Sequence, residues 1–277
     1  MTQMKEKLKK RVKMPPWMMF AAAGIVLMLL LILVFGGNRK NAVDPLDLQA
    51  GLNFLEQQEQ KNPDIVRQAR QVLYKRRMEE EKDKMLEDIE NGEIDPFSLL
   101  QDYAILGDSR TEGFSYWGFL PEERILAVGG YKIFHIPEWY DKLQEMQPQY
   151  IFLCYGLNDC YSEGWASGEE HAADYIEYVR ELKRMLPNST IVVSSILPVN
   201  EDGIEYYSGW SAIPDWNVAL KAACEKEGVL FADCDSLYEE HSEQWDSDGI
   251  HFFPTMYPLW AGKLIVTALY GGAINET

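Results

Sequence analysis

Cysteine and histidine are both scarce in this sequence, with four residues of each among 277. The cysteines show no Cys-x-x-Cys pair and have too few histidines nearby for a zinc site. The pattern therefore predicts no metal site, and Cys154, inside an apolar run, is expected in the core. Cys224 and Cys234 are left as either a disulfide or two free thiols, because sequence spacing is compatible with both.

Positive charge is also scarce outside the N-terminal end of the chain. Residues 1–40 carry eight Lys or Arg and one acid, whereas residues 41–277 carry 18 basic and 43 acidic side chains. A body this acidic repels phosphate backbones, which argues against nucleic acid as a partner. Internal repeats and low-complexity tracts are absent from the sequence, which argues against a repeat architecture.

One long uncharged segment is present near the N-terminus. Residues 14–37 carry no charge, and the 19 residues of 17–35 approach the roughly 20 that a helix needs to cross a bilayer. A cleaved signal peptide is the alternative. The apolar region of a signal peptide usually has only about 7–15 residues, however, and no convincing cleavage site follows residues 14–37. The segment therefore predicts a signal anchor. Six basic residues precede it and two come after it, so residues 1–13 are predicted to be cytoplasmic and the body extracytoplasmic, in a single-pass cell-membrane protein.

Residues 38–97 differ in composition from residues 98–277. They are rich in Gln, Glu, Lys and Arg, which form helices readily, and apolar residues are sparse. The alternation of Glu and Lys favours a solvated helix with pairs at i,i+4 spacing. The apolar heptad pattern is not sustained over enough repeats for a coiled coil. This range is therefore interpreted as a charged helical stalk.

In residues 98–277, short apolar runs alternate with amphipathic stretches. The runs are YAIL (103–106), RILA (124–127), YIFLC (150–154), TIVVSS (190–195) and VLFADC (229–234). The amphipathic stretches cover residues 137–147, 171–186, 215–227 and 255–270. Nearly continuous apolar runs of this length are typical of parallel strands that are covered on both faces. The pattern predicts an α/β domain with about five parallel strands and right-handed crossovers.

Polar residues and glycines come after the strands where an open parallel sheet binds ligands, outside the carboxyl ends. GDS (107–109) comes after the first run, Gly129 and Gly130 after the second, and GLND (156–159) after the third. DGIH (248–251) stands late in the chain, where a loop can return to the same edge. The topology therefore predicts one site for all four groups.

Ser109, His251 and Asp248 are the predicted catalytic residues. A serine hydroxyl is a weak nucleophile until a neighbouring base takes its proton, and His251 is the histidine best placed for that. Asp248, three residues earlier in a turn, is expected to hold the imidazole tautomer and stabilise the imidazolium. This chemistry needs no metal or organic cofactor. The alternative is that Ser109 is an ordinary serine that caps the next helix.

A tetrahedral oxyanion would also need preorganised hydrogen-bond donors. The predicted donors are the backbone N–H of Ser109, a backbone N–H of Gly129 or Gly130, and the side-chain amide of Asn158. The sequence does not choose between the two glycines.

The other histidines and two further acids are interpreted as structural. His135 and His171 lie in or near predicted helices and are expected at the surface. His241 is the only rival base, but no Asp stands three residues before it. Asp108 and Asp159 are expected to brace turns by hydrogen bonding rather than to react.

The order GDS, glycine, GLND and DGIH resembles that of the SGNH (GDSL-type) hydrolase superfamily, and DGIHFFPTMYPLWA resembles its C-terminal block. The resemblance covers about residues 100–270. It implies a flavodoxin-like, three-layer α/β/α fold and ester hydrolysis or acyl transfer, with Ser109 as nucleophile and Asp248 and His251 completing the triad. It also implies oxyanion donation by a glycine and Asn158. Arg110 stands where the GDSL signature has leucine, which is expected to alter local packing rather than the nucleophile.

Aromatic residues in loops after the strands suggest what the site binds. Trp117, Tyr131 and Trp165 are predicted to contact substrate, because aromatic rings in such loops can stack on a sugar ring or line an acyl pocket. With the anchor near the outer membrane face, the favoured function is a serine esterase acting on O-acetyl or other carboxylic esters of envelope or surface carbohydrate. The alternatives are acyl transfer to a glycan by the same triad and a non-catalytic module that binds glycan or a partner protein.

Overall fold

The computed structural model describes Asn53, residues 63–162 and residues 164–275. The chain divides into two units after Arg67, and the sheet lies in the second, residues 68–277. The predicted cytoplasmic tail and signal anchor, residues 1–37, lie outside the described residues. Among the helices that are described, none is long and apolar enough to span a membrane.

Within the described residues, five strands form one parallel sheet. They are β1 (Tyr103–Gly107), β2 (Ile125–Ala127), β3 (Tyr150–Cys154), β4 (Thr190–Ser194) and β5 (Leu230–Ala232). The strands lie in the order β2-β1-β3-β4-β5, and each neighbouring pair is parallel. This is the doubly wound, flavodoxin-like order. The prediction of five parallel strands is therefore confirmed.

Helices precede, connect and succeed the strands. They are α1 (Pro63–Glu90), α2 (Ser109–Tyr116), α3 (Tyr140–Met146), α4 (Leu157–Cys160), α5 (Gly168–Met185), α6 (Glu201–Tyr206), α7 (Ile213–Glu227), α8 (Ser236–Glu240) and α9 (Met256–Asn275). Short 3₁₀ helices occupy Pro96–Leu99, Glu122–Arg124, Ile133–Trp139, Ser208–Ala212 and Ser242–Gln244. Near the end of α1, Ile89 is buried, and a Cβ on Gly262 of α9 would lie 3.1 Å from its Cγ2. Helix α1 falls within the range assigned to the stalk, and its last turn packs on the sheet domain.

Alternate strand residues face opposite sides of the sheet, as the strand period requires. Ile105 and Phe152 belong to a buried cluster that includes residues of α9, whereas Leu106 and Leu153 belong to a cluster that includes residues of α5 and α7. Both faces of the sheet are therefore covered by helices, which explains why the strand sequences are apolar throughout. The result is a three-layer α/β/α arrangement.

Cys224 and Cys234, for which the sequence allows either a disulfide or two free thiols, lie on opposite faces of this sheet. Cys224 packs in the cluster beside α5, and Cys234 packs in the cluster beside α9. All four cysteines are free and buried, so the disulfide alternative is wrong. Burial raises the pKa of each thiol above its ordinary value, which keeps the sulfur protonated and unreactive.

The strand order reverses at β1, and an open parallel sheet forms its ligand crevice at such a point, here between the loops that leave β1 and β3. Strand β1 pairs with β2 on one side and with β3 on the other, so successive connections leave in opposite directions. Gly107 and Cys154, which end β1 and β3, are register partners. The loops that begin with Asp108 and Tyr155 therefore start side by side.

Candidate active site

Ser109 is the first residue of α2, directly after the carboxyl end of β1. A Cβ on Gly107 would lie 1.9 Å from Thr111 Oγ1, so the strand exit has room only for glycine. Asp108, not Ser109, caps the helix, since its side chain accepts a hydrogen bond from the Arg110 N–H at 3.0 Å. The interpretation of Ser109 as an ordinary capping serine is therefore wrong, and its hydroxyl is available for another partner.

That partner is His251, in the loop before α9. His251 Nε2 lies 2.9 Å from Ser109 Oγ, and Nδ1 lies 2.6 Å from Asp248 Oδ2. The imidazole therefore bridges a hydroxyl and a carboxylate that are far apart in sequence. With the proton on Nδ1 donated to Asp248, Nε2 carries a lone pair directed at the serine hydroxyl.

The turn from Asp248 to His251 fixes this geometry locally. Asp248 Oδ1 accepts the backbone N–H groups of Ile250 and His251, both at 2.8 Å, which leaves Oδ2 for the imidazole. Gly249 adopts a φ of 71°, a conformation that favours glycine. Partial burial acts to raise the pKa of Asp248, but hydrogen bonds from His251 and Ile250 outweigh it and lower the pKa below its ordinary value. The carboxylate is therefore ionised at neutral pH.

The two glycines predicted as oxyanion donors are not equivalent in space. A Cβ on Gly129 would lie 3.7 Å from Ser109 Cβ, whereas one on Gly130 would meet no atom within 4 Å. Gly129 is therefore the glycine beside the serine. Its role as a donor stays a prediction.

Asn158 lies in the same crevice, on the short helix α4. The helix begins after Gly156, whose φ of 133° is open only to glycine in practice. The Asn158 side-chain amide donates to Asp108 Oδ2 at 3.3 Å and to the Tyr131 carbonyl at 3.2 Å. Both bonds are long, and they hold the amide beside the residue that precedes Ser109. Donation to an oxyanion, which would share one of these hydrogens, stays a prediction.

Two buried charges flank Ser109 in sequence. Burial raises the pKa of Asp108 to about 6, against the opposing influence of the Arg110 charge. Burial likewise lowers the pKa of Arg110 to about 10, so its guanidinium stays cationic at neutral pH. The Arg110 side chain contacts the loops on the far side of the site. The sequence predicted only an effect of Arg110 on local packing, so these contacts were not expected.

The model of the GDSL-like lipase/acylhydrolase family matches residues 105–258, more than half of the chain. The chain belongs to the GDSL-like lipase/acylhydrolase family. The matched range runs from β1 into α9 and includes Ser109, Asp248 and His251. Membership confirms the predicted GDSL-type family and supports a hydrolase, while the serine mechanism and the roles of single residues stay predictions.

The chain is also similar to solved structures of low sequence identity. A protein described as a GDSL-like lipase from Parabacteroides merdae is 18% identical, and the match covers 61% of this chain and 97% of that chain with a TM-score of 0.50. A carbohydrate esterase family 3 protein from Talaromyces cellulolyticus is 16% identical, with 63% and 98% covered and a TM-score of 0.47. A catalytic mutant of an acetylxylan esterase from Geobacillus stearothermophilus is 13% identical, with 61% and 94% covered and a TM-score of 0.48. No curated protein matches the chain.

In this member of the family, a cleft of about 950 Å³ opens beside Ser109 and His251. Tyr116 and Trp117 line it with 79% and 45% of their surfaces exposed, and their rings meet edge to face. The charged lining residues are Glu112, Glu122, Glu123, Asp246 and Lys142. The cleft therefore combines exposed aromatic rings with an excess of carboxylates. No group of three or more His, Cys, Asp or Glu side chains among the described residues is placed to hold a metal ion.

The three aromatic residues predicted to contact substrate are placed differently. Trp117 lines the cleft, whereas Tyr131 and Trp165 are not among its lining residues. The Tyr131 ring stacks on His135 with centroids 4.1 Å apart. The Trp165 indole donates to Asp174 at 2.8 Å and packs against buried clusters. Of the three, only Trp117 is exposed to a ligand beside the serine.

His171 is buried, so the expectation that it lies at the surface is wrong. It lies on the inner face of α5 with Tyr175, one turn away, and its ring contacts Trp165 and Trp216. Its Nε2 lies 3.5 Å from Asp159 Oδ1, which also accepts the backbone N–H of residue 133 at 3.0 Å. Asp159 therefore joins the loop after β2 to the loop after β3, consistent with the bracing role expected of it.

Proposed function

We propose that this protein is a serine ester hydrolase with Ser109 as nucleophile, His251 as general base and acid, and Asp248 as the partner of the imidazole. The observation that carries the proposal is the placement of His251, with Nε2 2.9 Å from Ser109 Oγ and Nδ1 2.6 Å from Asp248 Oδ2. Membership of a lipase and acylhydrolase family supports the same reaction class.

The arrangement supports acyl transfer through a covalent intermediate. Ser109 Oγ attacks the ester carbonyl carbon while His251 Nε2 takes the hydroxyl proton, and Asp248 stabilises the imidazolium. The tetrahedral intermediate expels the alcohol, which receives the proton from His251, and leaves an acyl-serine. Water then attacks the acyl carbon and gives a proton to His251, which returns it to Ser109 as the carboxylic acid departs.

Backbone and side-chain donors near Ser109 would stabilise the oxyanion. The Ser109 N–H is at the start of α2, where backbone N–H groups lack helical partners. Gly129 lies beside the serine, and Asn158 reaches the same crevice from α4. Removing one donor of this kind typically costs roughly 10²–10³ in turnover.

For the substrate, we propose an O-acetyl ester of a neutral carbohydrate. Tyr116 and Trp117 are exposed and line the cleft, and aromatic rings with a polar tip suit sugars. Carboxylates such as Glu112 and Glu122 accept hydrogen bonds from hydroxyl groups. The same negative charges repel phosphate-bearing lipids, which disfavours a phospholipase.

The proposal includes a location at the outer face of the cell membrane. Its support is the uncharged segment 14–37 and the excess of basic residues before that segment. Such an anchor would place the cleft close to acetylated envelope or surface glycans.

Labelling with a fluorophosphonate probe tests the serine mechanism. We expect the wild-type chain to be labelled and the Ser109→Ala variant to lose all labelling, because only a serine activated by a base attacks the probe at a useful rate. Ser115→Ala is the matched control, since Ser115 also lines the cleft, and it should label normally. Labelling that persists in Ser109→Ala, or an unlabelled wild-type chain, would refute the mechanism.

Replacing Trp117 with alanine tests the carbohydrate substrate. We expect kcat/KM for an acetylated oligosaccharide to fall by roughly 2–12-fold, because a ring contact contributes roughly 0.5–1.5 kcal/mol. The kcat/KM for 4-nitrophenyl acetate, which has no sugar, should change less than twofold. Trp165→Ala is the control, since its ring is packed away from the cleft and should not discriminate between the two substrates. An equal loss on both substrates in Trp117→Ala would show that the ring does not bind sugar.

A further inference from the structure

The Arg110 side chain crosses from the nucleophile helix to two loops on the other side of the site. Its Nη1 donates to the Leu197 carbonyl, and its Nη2 donates to the Pro198 carbonyl at 3.0 Å. Its Nε donates to the Ile250 carbonyl at 2.8 Å. One guanidinium therefore connects the segment after β4 to the loop that carries His251. These partners are 87, 88 and 140 positions away in sequence.

Both sequence neighbours of His251 contact this side chain. Ile250 is held through its carbonyl, and the Phe252 ring lies 4.7 Å from the Arg110 Cζ, in cation–π geometry. Phe252 is itself buried in the apolar cluster that includes residues of α9. The residues before and after His251 in sequence therefore both contact the Arg110 guanidinium. Arg110 is in turn the next residue after Ser109.

The backbone of Arg110 is held as firmly as its side chain. Its N–H donates to the Asp108 carboxylate at 3.0 Å, and its carbonyl accepts the Tyr257 hydroxyl at 3.1 Å. A Cβ on Gly113 would lie 1.7 Å from the Tyr257 hydroxyl, so the tyrosine passes directly over the helix. Hydrogen bonds therefore restrain both the backbone of Arg110 in α2 and its guanidinium at the His251 loop.

The chemistry of the contact requires arginine rather than the leucine of the GDSL signature. Only a planar guanidinium presents several donors in a rigid fork, and Arg110 uses three of its nitrogens on three carbonyls. A leucine at this position has no donor, and a lysine offers a single point charge. The residue is buried, so without it these carbonyls would lose partners that water does not readily replace.

We propose that Arg110 is a positioning residue that holds His251 at hydrogen-bonding distance from Ser109. This role rests on the serine hydrolase function proposed above. Arg110 touches neither the substrate nor the reacting atoms, because its three side-chain donors are directed to backbone carbonyls. Its effect is on the alignment of the base, and displacement of a reacting group by about 1 Å can cost on the order of 100-fold in rate.

Kinetics of Arg110→Leu and Arg110→Lys in the full chain test the proposal. We expect kcat for 4-nitrophenyl acetate to fall roughly 10–100-fold in Arg110→Leu and by less in Arg110→Lys, with KM changed less than threefold. The rate of fluorophosphonate labelling should fall in parallel, because it depends on the same serine–histidine alignment.

Arg124→Leu is the matched control. Arg124 also donates to a backbone carbonyl, that of Tyr103, and lies over an aromatic ring, but it stands before β2 at the opposite end of the sheet. Its loss should lower thermal stability without lowering kcat. A fall in kcat equal to that of Arg110→Leu would mean that both variants act only through stability, and would overturn the proposal.

Chemical rescue separates alignment from general stability. In Arg110→Ala, added guanidinium ion should restore part of the lost kcat at a temperature where the variant is folded, whereas sodium at equal ionic strength should not. If Arg110→Leu does not fold, Arg110→Lys and this rescue decide the matter. Wild-type kcat in a folded Arg110→Leu or Arg110→Lys, or no rescue by guanidinium, would overturn the positioning role. A wild-type chain that is neither labelled nor active would instead refute the proposed hydrolase function.

Discussion

Replacing His251 with alanine is expected to lower kcat for ester hydrolysis by roughly 10⁵–10⁶-fold, close to the effect of removing the nucleophile itself. The serine hydroxyl lies 2.9 Å from His251 Nε2 and has no other base within the contacts that the structure shows for it. Without the imidazole, the hydroxyl proton has no acceptor and the departing alcohol has no donor. Single-turnover kinetics with 4-nitrophenyl acetate measure the loss in the acylation step directly.

His241→Ala is the control for this measurement. His241 is the rival base in the sequence, and the structure places its Nε2 3.7 Å from Glu90 Oε1. Its replacement should leave kcat unchanged within about twofold. If His241→Ala abolished activity while His251→Ala retained it, the assignment of the base would be wrong.

Replacing Asp248 with asparagine is expected to lower kcat by about 10⁴-fold. Asparagine keeps the Oδ1 acceptor for the backbone N–H groups of Ile250 and His251, so the turn should survive. The other atom of the side chain becomes an NH₂ group that faces His251 Nδ1, where the carboxylate oxygen accepted a bond of 2.6 Å. The imidazole then presents its lone pair to residue 248 and a proton to Ser109, which is the wrong tautomer for a base.

Asp246→Asn and a double variant complete this test. Asp246 lies in the same turn and lines the cleft, so its replacement removes one nearby negative charge without touching the imidazole. It should change kcat less than tenfold. Combining Asp248→Asn with His251→Ala should cost no more than His251→Ala alone, because residues that act as a unit are not additive. A further large loss in the double variant would mean that Asp248 acts independently of His251.

Three consecutive residues organise the site by reaching three different loops. Asp108 contacts Asn158 from the loop after β3, Ser109 contacts His251, and Arg110 contacts the segment after β4. The side chains of successive residues at the start of a helix point about 100° apart, so the residues of one helical turn can contact several different loops. The short α2 is therefore the place where the loops at the carboxyl edge of the sheet are joined.

Much of the fold is encoded in local sequence. Each of the five strands falls within or next to an apolar run, because both faces of a parallel sheet are buried and the strands contain little else. The stretches interpreted as amphipathic match α3, α5, α7 and α9 in position. One face of α5 and of α7 packs on the sheet, whereas more than half of the described residues of α9 are buried. The short helices α6 and α8 are not predicted by the sequence pattern, since they lie in loops without apolar periodicity.

The predictions that the structure contradicts concern the tertiary contacts of single residues, not the helices and strands that contain them. The sequence pattern places His171 at the surface, yet the face of α5 that holds it turns toward Trp165 and Trp216. Cys224 and Cys234 are an open pair in the sequence, yet the sheet lies between them. In each case the residue type and its local helix or strand do not determine which neighbours the side chain contacts, because those contacts depend on packing between elements that are distant in sequence.

The strands, the serine at the end of the first strand and the late Asp–Gly–Ile–His turn are predictable from local sequence, because periodicity and turn chemistry act over a few residues. The folded chain was needed to show that Ser109 Oγ meets His251 Nε2, that Gly129 rather than Gly130 lies beside the serine, and that Trp117 rather than Trp165 faces the cleft. It also decided the partners of Arg110. These contacts join positions up to 142 residues apart, and they form only when the parallel sheet brings the loops at its carboxyl edge together.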